Sequence, residues 1–161
     1  HSASDAELQA AVLAEVAIDP DGLLRDDFLD LLMTHCIEPQ LPKLSLTVVY
    51  DFPASQCALA RIRPGEVPVA ERFELYLGSV ELANGYHELT DAAEQSARFD
   101  NDLRLRRQRG ASALPKDQRL IDALESMPGC AGVAMGIDRL MMALLDAEAL
   151  AEVVAFDFSK A

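Results

Sequence analysis

Hydrophobic positions change their period along the chain. In the first 40 residues they recur at helical spacing, with Leu8, Val12 and Val16 on one face and Leu24, Phe28, Leu31, Leu32 and His35 on another. Ser4 followed by Glu7 is a capping-box pattern ahead of the first helix, and Asp21 stands where it can open the second. Pro39 and Pro42 close the pair. From Leu44 the period becomes two, which predicts strands over Leu46 to Tyr50 and Ala58 to Arg63, on either side of the turn-like run from Phe52 to Ser55. Arg72 to Ala83 predicts a hairpin with Gly78-Ser79 as its two-residue turn. Thr90 and Asp91 start a helix that runs to Gly110 and carries Arg98, Arg104, Arg106, Arg107 and Arg109 towards its end. A short helix around Asp117 to Glu125 precedes a Gly-rich strand from Gly129, a further helix, and a last apolar strand over Val153 to Phe156.

Composition narrows the picture. With 161 residues, half of them apolar and a quarter charged, the chain can build one sizeable core. It has no run near the roughly 18 apolar residues that span a bilayer. A net charge of −13 argues against gripping nucleic-acid phosphate, which needs clustered Lys and Arg. The acidity is uneven: residues 1–40 hold nine acids against Arg25 alone, so this helical pair reads as a solvated acidic layer. The interleaved Asp100 and Asp102 give the arginine-rich helix the same reading, with an acidic partner or RNA backbone as the alternative. Cys36, Cys57 and Cys130 are odd in number and never in a CxxC pair, and the three histidines are as scattered, so neither a disulfide framework nor a zinc site is expected. With no secretory pattern at the start, these features predict a cytoplasmic chain.

Two stretches carry candidate chemistry. With Gly78-Ser79 as the turn, Leu77 faces Val80, Tyr76 faces Glu81 and Glu74 faces Ala83, so Glu74 and Glu81 become diagonal neighbours about 7 Å apart on one face. Phe73, Leu75, Leu77, Val80 and Leu82 form the opposite face, which is expected to be buried. The two carboxylates are either solvated on the outside of the sheet or held together by a cation such as magnesium bridged to phosphate oxygens. In the segment from Cys130 to Leu145, strand alternation puts Cys130, Gly132, Ala134 and Gly136 on a small face and Ala131, Val133, Met135 and Ile137 on a greasy one. Repeated glycine suggests close approach of a ligand or of another backbone. Asp138 can cap the next helix, where Leu140, Met141, Leu144 and Leu145 share a side, and Arg139 sits beside unpaired N–H groups suited to phosphate. Tight strand–helix packing with a surface arginine is the competing reading.

These residues carry a resemblance. GVAMGIDRL resembles motif 3 of the class II aminoacyl-tRNA synthetases, and FELYLGSVELANGYHELTD resembles the lysine-specific segment that precedes it in lysyl-tRNA synthetases. DFPASQCALA, ELANGYHELTDAAEQ, GVAMGIDRL and LAEVVAF are most similar to the lysyl-tRNA synthetase paralogues of the EpmA/PoxA/GenX type, which ligate (R)-β-lysine to elongation factor P. The resemblance implies an α+β fold, an antiparallel sheet with flanking helices forming the C-terminal half of a class II catalytic domain. Residues 1–43 would be an acidic helical insertion and residues 44–161 the catalytic part, with motif 3 at 130–145. It implies ATP and Mg2+ as cofactors. Glu74 and Glu81 would hold the metal, Glu81, Leu82, Gly136 and Arg139 would meet ATP, and Arg139 would be the catalytic group neutralising the triphosphate. Asn84 would meet the substrate carboxylate and Glu88 its distal ammonium, with Tyr86 and Ala134 lining the same pocket; Ala134 stands where typical lysyl-tRNA synthetases have glycine.

The implied reaction is activation of (R)-β-lysine, or lysine, as an aminoacyl-adenylate and transfer to a lysine of elongation factor P. A lysyl-tRNA synthetase that charges tRNA and a non-catalytic folded fragment or binding module are the alternatives. Strict alternation puts Asn84 on the face opposite Glu81, so the assignment requires a bulge or twist near Gly85. Ser126-Met127-Pro128 stands where the family has Gly-Met-Pro. Motifs 1 and 2 are expected before His1, so these residues alone are expected to be inactive and the intact protein to be a homodimer.

Overall fold

The computed structural model describes residues 3–112 and 114–160. Helix α1 (Asp5–Glu15) starts as its spacing predicts: the Ser4 hydroxyl accepts from the Glu7 N–H at 3.3 Å while the Glu7 carboxylate accepts from the Ser4 N–H at 2.8 Å. These satisfy two groups that a helix end otherwise leaves bare. Helix α2 (Arg25–Leu31) begins later than Asp21 implied. Its start is held by the Asp27 carboxylate, which accepts from the Leu24 N–H at 2.8 Å. It continues as a widened turn over Leu32–Ile37 and a 3-10 turn over Glu38–Gln40. Leu8, Val12 and Phe28 form the small core between the two helices, flanked by Val16, Leu23, Leu29, Leu31 and Leu32.

The remainder is built on an antiparallel sheet: β1 (Leu46–Pro53), β2 (Ile62–Arg63), β3 (Val69–Leu77), β4 (Val80–His87) and β5 (Ala131–Met135), in the order β1-β3-β4-β5 with β2 on the start of β3. Flanking helices are α3 (Ala92–Gln108), α4 (Gln118–Leu124) and α5 (Ile137–Leu145). The fold is therefore α+β. Asp91 and Asp117 cap α3 and α4 with side-chain oxygens, whereas α5 starts from Gly136 without a side-chain cap. Asp138 lies inside the first turn of α5, two positions past the cap residue Gly136.

Further sequence expectations change. Only Ile62–Arg63 of the run from Ala58 is strand; Ala58 takes a left-handed φ of 46°, which breaks the ladder before it. Val153 to Phe156 forms turns after a 3-10 segment at Leu150–Glu152, and joins no strand. The hairpin face of Phe73, Leu75, Leu77 and Val80 is not sealed: the first three are half-buried and Val80 is exposed. The helical layer covers the other face, where Leu29, Leu32, Met33 and Glu38 share a cavity with Glu74 and Tyr76. Nor is that layer merely solvated. Asp26 accepts from Ser55 at 2.6 Å, Asp30 from Gln56 at 2.8 Å and Asp27 from Arg109 at 2.9 Å, so its acids tie α2 to the segment after β1 and to α3.

Candidate functional site

The hairpin turn is as the sequence predicts, with Gly78 at φ 57°, a value that favours glycine. Leu77 pairs with Val80 and Tyr76 with Glu81. The ladder then slips: Leu75 pairs with Ala83 and Glu74 with Asn84, leaving Leu82 as the extra residue. The bulge that the assignment requires is present, and it lies at Leu82, not near Gly85. One inserted residue reverses the facing of everything after it. Asn84 consequently shares a face with Glu74, Tyr76 and Glu81, and Tyr86 pairs with Arg72 on that same face.

Strand β5 extends the surface. Asn84 pairs with Ala134 and Tyr86 with Gly132, so the small residues of β5 join the polar face while Val133 and Met135 take the other. Glu88 lies just past β4, where its N–H donates to the Cys130 carbonyl at 3.0 Å and its backbone bridges Ala60. Its carboxylate reaches over Gly132: a Cβ built there would meet Glu88 Oε1 at 2.2 Å. The missing side chain at 132 is what leaves room for that carboxylate. Gly85 is constrained on the opposite face, where a Cβ would come within 2.4 Å of the Phe73 ring and 2.8 Å of the Gly132 carbonyl.

Glu74 is only 7% exposed, and one of its oxygens takes the Tyr76 hydroxyl proton in a 2.5 Å hydrogen bond while the other pairs with the Arg72 guanidinium. Tyr76 is 2% exposed, and its oxygen lies 3.4 Å from Glu38 Oε1. Burial, then the hydrogen bond to Glu74, pushes the Tyr76 phenol far above its usual range. Glu81 is held more loosely, with Asn84 Nδ2 at 3.5 Å and Arg139 Nη1 at 3.9 Å. Arg139 also donates to the Glu81 carbonyl at 2.8 Å, and the Gly136 N–H donates to the Leu82 carbonyl at 2.8 Å, which ties the start of α5 to the bulge.

Glu74, Glu81, Asn84, Tyr86 and Ala134 thus share one face of the sheet, Leu82 is the bulge residue tied to Gly136, and Arg139 sits at the start of α5, whereas Glu88 lines a separate cavity with Leu59, Gln95 and Gly132. Arg72, Tyr76 and Glu38 join them without having been singled out; for the first two, the alternation of Arg72, Glu74 and Tyr76 in the sequence was the available signal. Glu74 and Glu81 line one cavity of ≈ 360 Å³, together with Asp30 and Glu38. Their hard oxygen donors suit Mg2+, which is typically held by one or two carboxylates with water and phosphate completing the shell. Among the described residues, no group of three or more His, Cys, Asp or Glu is placed to enclose a metal by protein ligands alone. No described helix is long and apolar enough to cross a membrane.

The family model of the class II tRNA synthetases (D, K and N) matches residues 29–160. The chain belongs to that family. Class II synthetases generally use ATP and Mg2+, and the family points to ligase chemistry through an aminoacyl-adenylate in its intact members. The match begins within α2 and includes the whole sheet, the bulged hairpin and α5.

Proposed function

We propose that the chain contributes the amino-acid and magnesium side of an active site that activates (R)-β-lysine, or lysine, as its adenylate and passes it to a lysine side chain of elongation factor P. The observation that carries this reading is the Glu88 carboxylate lying over Gly132, in line with Tyr86 and Asn84 on the polar face. An anion at the end of a narrow, small-residue floor selects a chain ending in an ammonium, because an uncharged analogue would leave it unpaired.

In this reading Asn84 orients the substrate carboxylate and Glu88 its distal ammonium, while Tyr86 and Ala134 line the space between. The carboxylate oxygen attacks the α-phosphorus of ATP and pyrophosphate leaves. Arg139 neutralises the charge of the triphosphate, an electrostatic role that moves no proton. Leu82 offers backbone to the nucleotide and Gly136 leaves the floor flat beneath adenosine. Glu74 and Glu81 would hold Mg2+, which supplies positive charge to the phosphate oxygens when bound. In the second half-reaction the Nζ of the acceptor lysine attacks the acyl carbon and AMP departs. Residues 1–43 form the acidic helical insertion of this catalytic domain, and the intact protein acts in the cytoplasm as a homodimer.

The test uses the full-length protein with ATP, Mg2+ and either (R)-β-lysine or α-lysine, reading the mass of elongation factor P. Addition of one β-lysyl group is expected, with Glu88→Gln lowering kcat/KM for the amino acid by about 100-fold. Charging of tRNA with α-lysine, and no change in the mass of elongation factor P, would identify a lysyl-tRNA synthetase instead.

A further inference from the structure

We propose that Tyr76, together with Arg72, is a positioning residue that holds Glu74 as a fixed cation ligand, whereas Glu81 is left free to adapt. This rests on the assignment of Glu74 and Glu81 to magnesium above. Period-two alternation puts Arg72, Glu74 and Tyr76 in one row on a single face of β3, so the carboxylate has one neighbour on each side along the strand. Each neighbour takes one oxygen: Tyr76 Oη donates at 2.5 Å to Oε2, and Arg72 Nη2 donates to Oε1. Arg72 is itself immobilised, with its guanidinium 4.4 Å from the centre of the Phe52 ring and its Nη1 donating to the Gln56 carbonyl at 3.1 Å. A carboxylate offers about four lone-pair directions, so two donors leave capacity for a cation.

The phenol has one proton and two carboxylates within reach. Glu74 receives it at 2.5 Å and Glu38 stands off at 3.4 Å. Glu81 has no such clamp: its contacts are at 3.5 and 3.9 Å, and its side chain is 36% exposed against 10% for Glu74. Pre-ordering one ligand lowers the ordering cost of binding, and a second, looser ligand can follow the phosphates.

The decisive measurement is calorimetric titration of ATP into the full-length protein over a series of Mg2+ concentrations, for wild type, Glu74→Gln, Tyr76→Phe and Arg72→Lys. Tyr76→Phe keeps the ring and removes only the hydroxyl. It should raise the Mg2+ concentration for half-maximal ATP binding about tenfold, in keeping with the loss of a hydrogen bond to a charged group. The KM for the amino acid should stay unchanged. Arg72→Lys keeps the charge but loses the fork and the ring stacking, and should shift the Mg2+ dependence the same way even if Tyr76→Phe fails to fold. A lowered melting temperature with an unaltered Mg2+ dependence in both variants would reduce Tyr76 and Arg72 to packing residues and overturn the proposal. If Glu74→Gln leaves the Mg2+ dependence unaltered, the magnesium assignment itself fails.

Discussion

On one face of the sheet Glu74 and Tyr76 are 7% and 2% exposed; on the other Val48, Tyr50 and Val133 are 52%, 69% and 62% exposed. Hydropathy alone would have the faces the other way round. The difference lies in what packs on each. Helix α2 and the turns after it lie over the polar face and supply Glu38, Leu29, Leu32 and Met33 to its cavity. Glu74 and Arg72 are paired there through the Arg72 Nη atoms, although Arg72 Nε is buried without a partner, and pairing is the condition for burying charge at tolerable cost. The apolar face of β1, β3 and β5 has no comparable layer among the described residues, so its side chains keep much of their surface in water. Burial in this molecule follows the docking of a distant segment, and the docking is specified by polar contacts as much as by apolar ones.

The sharpest way to break this comparison is to remove the centre of the polar face. Glu74→Leu would strand the Arg72 guanidinium, whose side chain is 19% exposed, beside an apolar group. A loss of about 3–5 kcal/mol is expected in chemical denaturation, the range for unpairing one member of a buried ion pair. A loss under about 1 kcal/mol would mean that the network is not held together as the structure shows. Next in size is Gly85→Ala, which places a methyl group into the Phe73 ring on the less sealed face. The ring can yield but the Gly132 carbonyl at 2.8 Å is backbone, so a cost of about 1–3 kcal/mol is expected from overpacking. The smallest effect belongs to Val48→Thr on the exposed side of β1. Denaturation should register a change within about 0.5 kcal/mol, as for surface substitutions generally; a loss above about 2 kcal/mol would show that this face is covered in solution.

Local features were legible where a few neighbouring residues settle them. The Ser4 and Glu7 capping box, the Gly78-Ser79 turn and the pairing of Tyr76 with Glu81 appear as the spacing predicts. So does the division of β5 into a small face and a greasy one. Asn84 and Tyr86 share a face with Glu81 only because of a bulge, whose position was missed. Leu82 is apolar and fits the alternation in either register, so nothing in the run from Val80 to Asn84 marks it as the extra residue. Val153 to Phe156 reads as a strand by composition, yet a strand needs a partner with free ladder groups, and the segment folds into turns. The acidic acids of α2 looked solvated because their partners, Ser55, Gln56 and Arg109, stand 26 to 82 residues away in the chain.

By itself the sequence determined the side-chain directions within each element, namely which residues of β3 stand in a row with Glu74 and which face of β5 is small, and it marked where α1, α3 and α4 begin. Those are set by backbone periodicity and by hydrogen bonds spanning three or four residues. Tertiary structure decided which sheet face is covered, where the ladder slips, and that Glu38 from the first 40 residues meets Tyr76 in the hairpin. Such outcomes depend on the free energy of bringing distant segments together, and no local pattern encodes it.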